Sequence, residues 1–138
     1  MKTKLFSFFT VALLFLVTAI PALAASGNYS FSMGLRVVDG SKNVQFYTLN
    51  KGSATIKGTH AVVSSLPGAL GPNPLNYQLY NKTSGNSFGI VKATPLANGN
   101  RTTVSGTYTG LGGGTSYYLY IWRTDDGRTI NGSGTISN

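Results

Sequence analysis

The chain of 138 residues has no cysteine and no glutamate, a single histidine, a single tryptophan and three aspartates. Each shortage removes a class of chemistry. Without cysteine there is no disulfide, no thiol nucleophile and no lipid-modified leader. One histidine and three aspartates offer no ligand spacing for zinc, so neither a metal nor another cofactor is expected. Glycoside hydrolysis by the usual route needs two carboxylates held about 5–9 Å apart across a cleft. Here Asp39 precedes Gly40, and Asp125 and Asp126 precede Gly127. In such turn sequences an aspartate usually accepts local backbone hydrogen bonds. His60 has no Gly-x-Ser-x-Gly nucleophile elbow to serve, and it reads as a half-buried packing residue. The Gly-rich stretch 110–114 lacks the Gly-Lys-Ser/Thr ending of a phosphate loop and no helix follows it; it reads as a tight corner between strands. The chain is therefore expected not to be an enzyme.

Helical patterning is missing too. No window of eleven residues carries apolar side chains at i, i+3, i+4 and i+7, and all eighteen glycines lie after residue 24. Each would cost about 1 kcal/mol inside a helix.

What is present begins with a leader. Lys2 and Lys4 precede an uncharged apolar run over 5–20, Pro21 breaks it, and Ala22-Leu23-Ala24 supplies small residues at the cleavage positions. That order predicts a secretory signal peptide over 1–24. The run is shorter than the ~20 residues of a bilayer span. The remaining residues, 25–138, are enough for a single domain. A cysteine-free exported domain of this size points to a bacterial source, because small eukaryotic secreted domains lean on disulfides.

Outside the leader nine cations face three aspartates, a net of +6. The cations stand singly along the chain. Outside a cell such a charge suits an anionic cell-wall polymer, an acidic polysaccharide or a membrane surface better than nucleic acid. It also serves plain solubility.

Strand signals fill the rest. Tyr29, Phe31, Met33, Leu35 and Val37 alternate with small or polar residues, the period of a half-buried strand. Further runs are read at 44–49, 54–63, 77–80, 88–93, 102–108, 116–124 and 129–136. Turn signals separate them at Asp39-Gly40, Asn50-Lys51-Gly52, Ser84-Gly85-Asn86, residues 97–100 and Asp125-Asp126-Gly127. The stretch 64–74, with Pro67, Pro72 and Pro74, is expected to cross between sheets. About seven or eight short strands with turns every ~8–12 residues predict an all-β antiparallel fold, a β-sandwich or a barrel.

The segment from Leu111 through Gly112-Gly113-Gly114-Thr115-Ser116 to Tyr117 and Trp122 resembles the corner entering the penultimate strand of fibronectin type III and related immunoglobulin-like domains. The resemblance covers about the last third of the chain. It implies that Tyr117 is a tyrosine-corner residue with its hydroxyl bonded back to the preceding loop, and that Leu119 and Ile121 face the core. It implies nothing about activity.

If Leu119 and Ile121 face inward, Tyr118, Tyr120 and Trp122 form an outward row of rings spaced about 6.6–7 Å apart. Such a row stacks on sugar rings, or forms cross-strand pairs with Tyr80 or Tyr108, or lies under the 64–74 loop. The candidate binding residues are thus Tyr118, Tyr120 and Trp122 for stacking, with Arg123, Arg128 and Lys92 for phosphate or carboxylate. The expectation is a secreted, non-catalytic domain contacting an anionic or carbohydrate polymer of a cell envelope or matrix. The alternative is a cationic antimicrobial or toxin-like protein acting on anionic membranes. A protein partner or self-assembly through strand edges stays open.

Overall fold

Alternation in the first stretch after the leader sets one edge of the molecule. In the computed structural model, which describes residues 24–138, β1 (Ser26–Met33) turns Tyr29 and Met33 inward. It pairs antiparallel along its whole length with β7 (Arg128–Ser137). The assigned leader lies, but for Ala24, outside the described residues. Between these two strands come β2 (Val37–Asp39), β3 (Tyr47–Ser65), β4 (Leu75–Asn81), β5 (Ser87–Ala93) and β6 (Thr102–Trp122). The order is β1-β7-β3-β6-β4-β5, with β2 on the free side of the second half of β6. All pairings are antiparallel, and there is no helix among the described residues.

Two strands are long, 19 residues in β3 and 21 in β6. Straight, each would run roughly 60–70 Å, far beyond a domain whose radius of gyration is on the order of 13 Å. They bend instead, and so contribute to both layers. The second half of β3 and the first half of β6 join β1 and β7 in one layer. The second half of β6 joins β2, β4 and β5 in the other. The bend falls where glycine permits it. Gly113 has φ +84°, and the β3–β6 register slips between Tyr47 and Leu49 and again between Gly52 and Ala54.

Side chains from both layers meet in one core. The Tyr77 ring of β4 lies edge-on to Tyr29 (6.3 Å) and Phe31 (6.0 Å) of β1, and Tyr108 donates its hydroxyl to the Tyr77 carbonyl at 2.9 Å. Ile56, Leu75, Leu79, Val104, Ile130 and Ile136 are fully buried around them.

The all-β antiparallel class read from the sequence is the class observed. Nothing in the topology singles out the immunoglobulin or fibronectin type III family. Several boundaries differ. There are seven strands: the runs at 44–49 and 54–63 belong to one strand, the runs at 102–108 and 116–124 to another that ends at Trp122, and the first run divides into β1 and β2. The expected turn at Asn50-Lys51-Gly52 is a bulge inside β3, held because Leu49, Lys51 and Gly52 keep partners on β6. The first strand stops at Met33. Residues 34–36 bend so that β2 can change layers, which leaves Leu35 exposed. Val44 lies in a turn at φ +56° and in no strand. The 66–74 segment crosses from β3 to β4, and so from one layer to the other, as its prolines required.

Candidate functional site: an aromatic face beside a buried ion pair

The second half of β6 sorts its side chains by parity. Tyr117, Leu119 and Ile121 are buried, while Tyr118, Tyr120 and Trp122 take the opposite face and are half-buried. The Tyr117 hydroxyl accepts a hydrogen bond from the Gly113 amide at 3.0 Å, which ties the strand to its corner.

Registers place the outward neighbours. Trp122 lies between Val37 of β2 and Asn76 of β4, and Asn76 is paired in turn with Lys92 of β5. Tyr120 lies between Asp39 and Gln78, with Ile90 beyond. Tyr118 is opposite Tyr80. The Tyr80 ring stacks on Tyr118 (5.6 Å, 15°) and meets Tyr120 edge-on (6.1 Å, 81°). Phe46 closes the row against Tyr118 at 6.1 Å, and Lys82 Nζ lies 5.3 Å from the Phe46 centroid. Burial raises the pKa of the Tyr118 phenol, with Asp39 and the neighbouring phenols adding to it.

The cross-strand pairing with Tyr80 is therefore present. Tyr108, the other partner considered, is buried in the core. The 66–74 segment hydrogen-bonds elsewhere, to residues 124–128. Leu66 N donates to Gly127 O (2.8 Å), Asn73 N to Asp126 Oδ2 (2.7 Å) and Arg128 Nε to Leu70 O (3.2 Å).

The three candidate cations part company. Lys92 is exposed, in the row of Trp122 and two strands away. Arg128 is half-buried and spends its donors on Leu70 O and Ser65 Oγ, where it pins the loop. Arg123 is a correction to the sequence reading. Its side chain is wholly withdrawn from solvent, paired with Asp126 and donating to the Arg128 carbonyl. A guanidinium so enclosed has no donor to offer a polymer at the surface. Lys82, Phe46 and Gln78 join the face without having been singled out, since their sequence surroundings carry no signal beyond ordinary strand ends.

The groups weighed for catalysis are engaged in structure. Asp39 caps its own turn through Ser41, Asp125 accepts from Gly127 N, and Asp126 accepts from Asn73 and Arg128 amides besides its ion pair. His60 is fully buried rather than half-buried. Its Nδ1 shares a 2.7 Å hydrogen bond with the Tyr77 hydroxyl, and burial pushes its pKa down to about 4 against a smaller opposing effect of the Thr94 backbone. An open groove of about 470 Å3 lies between the 83–88 segment and the Gly-rich corner, and no charged side chain lines it.

No protein-family model and no curated protein matches the chain. Among solved structures, it is similar to a carbohydrate-binding module of lichenase 5A from Cellvibrio mixtus, solved in complex with cellotriose. The TM-score is 0.48 at 13% identity, covering 80% of this chain and 87% of that one. That degree of likeness carries nothing about ligand or activity.

Proposed function

We propose that the chain is a secreted, non-catalytic binding domain whose β2-β6-β4-β5 face holds a carbohydrate polymer of a cell envelope or matrix. The observation that carries this reading is the row of half-buried rings, Tyr80, Tyr118, Tyr120 and Trp122, on the outer face of a sheet. Tyr80, Tyr118 and Tyr120, held in place by mutual ring contacts, lose little freedom on meeting a ligand, and such rings, with Trp122 beside them, suit the apolar faces of sugars. Gln78 and Lys92 in the adjoining rows supply hydrogen-bonding groups for sugar hydroxyls, while Asn76 is buried and donates its Nδ2 to the Trp122 carbonyl. The engaged aspartates and the buried histidine support a non-catalytic role, and the leader supports secretion.

With Arg123 and Arg128 committed internally, stacking outweighs charge at this face, so retention is expected to resist salt. The test is retention of the protein lacking its leader on insoluble polysaccharides and washed cell walls, at low salt and at about 0.5 M, where screening acts within a few ångströms. Trp122→Ala is expected to weaken retention at least about tenfold, ~1.4 kcal/mol, while the melting temperature moves by only a few degrees. Unchanged retention, or an unfolded variant, contradicts the assignment.

A further inference from the structure

Among the described residues eight large apolar side chains stand out in solvent, and six of them, Leu35, Val37, Val63, Leu66, Leu70 and Leu96, are 48–77% exposed at one end of the sandwich. They come from separate stretches: the β1–β2 bend, the ends of β2 and β3, the 66–74 loop and the β5–β6 connection. Hydrogen bonds hold these stretches together. Arg123 N donates to Arg36 O (2.9 Å), Leu66 N to Gly127 O (2.8 Å) and Arg128 Nε to Leu70 O (3.2 Å). Gly99 lies against the Val62 carbonyl.

A rigid protein partner is best met by a contiguous patch centred on aromatic anchors. These tips are aliphatic, carry no aromatic anchor and come from separate segments of the chain, which suits a fluid partner that adapts to them. The tip backbone already bonds to itself, Ala69 N to Leu66 O (3.1 Å) and Gly99 N to Leu96 O (3.2 Å), so fewer bare amides would enter an apolar boundary. The charge complements an anionic surface. Arg36 and Arg101 are exposed around the tips. The carboxylates at this end, Asp125 and Asp126, are turned to the Gly127 amide and the Arg123 ion pair.

We propose that this end of the molecule docks on an anionic lipid surface. The aliphatic tips reach the headgroup–acyl boundary, and Arg36 and Arg101 meet lipid phosphates. This surface is separate from the aromatic face, which it adjoins at Val37 and Trp122.

Because the chain has no cysteine, an introduced one carries a label alone. Leu70→Cys and Val44→Cys, each bearing an environment-sensitive fluorophore, are mixed with phosphatidylglycerol–phosphatidylcholine vesicles. Val44 is equally exposed but sits in the turn beyond β2, away from the loop end. A blue shift is expected at Leu70→Cys only, reversed by about 0.5 M salt and absent with phosphatidylcholine alone. Leu66→Ser combined with Leu70→Ser is expected to lower vesicle co-sedimentation at least about tenfold with the melting temperature unchanged, since both side chains are exposed. No shift at Leu70→Cys, an equal shift at both labels, or a shift that grows with protein concentration without vesicles overturns the proposal. The last outcome would assign the tips to a second copy of the chain.

Discussion

Arg123 follows directly on a strand of alternating aromatics, and nothing within that strand distinguishes a surface cation from a buried one. Asp126 decides, three residues on, by meeting the guanidinium inside the β6–β7 turn. The spacing was legible in the sequence; the withdrawal from solvent was not, because it depends on the 66–74 segment closing over the pair from 53 positions away through Asn73. Removing one partner of a buried pair leaves the other charge enclosed, at a cost of about 3–5 kcal/mol. Arg123→Ala is therefore expected to lose that much in urea unfolding, and an unchanged midpoint would return Arg123 to the surface. His60 gives a pH dependence of known sign. Its folded pKa, about 4, lies below the unfolded 6.5. Above pH 6.5 both states are neutral and stability is whole. As pH falls, the unfolded chain takes the proton first, and on the order of 3 kcal/mol is lost by about pH 4. Unfolding midpoints at pH 7 and pH 5 check this, and His60→Gln is expected to flatten the difference.

Among the elements, β6 carries most of the information. Alternation divided its side chains into two sets, the resemblance at the Gly-rich corner implied that the set with Leu119 and Ile121 turns inward, and Tyr117, Leu119 and Ile121 are buried. The same pattern could not show that residues 102–108 and 116–122 are one strand. A run of glycines reads as an interruption in sequence, whereas here the backbone passes through it still paired to β3. Gly113 and Gly112 test the distinction. Gly113 has φ +84°, and an added Cβ would meet Lys51 N at 3.2 Å; Gly112 has open space. Gly113→Ala is expected to cost about 1–2 kcal/mol, and Gly112→Ala close to nothing. Equal effects in denaturant unfolding would mean that the corner does not depend on the left-handed conformation.

Over the whole molecule, two bent strands bring a flat aromatic face and a crown of aliphatic loop tips to adjoining surfaces. The face was legible as a row because strand parity is local. The crown was not, because Leu35, Leu66, Leu70 and Leu96 are far apart in sequence and only the return of β6 toward β3 gathers their loops. The engagement of the aspartates in turns was legible, because each stands in a Gly-containing turn sequence, and all three accept local backbone hydrogen bonds there. The central claim is that sugar binds at the aromatic face, and the single tryptophan lies in that face. Emission of Trp122 during titration with a soluble form of the retained polysaccharide is the most direct measurement. A saturable change that tracks retention, and is kept at high salt, is the predicted result. Retention on the polysaccharide with no change in Trp122 emission would place the ligand elsewhere and contradict the account.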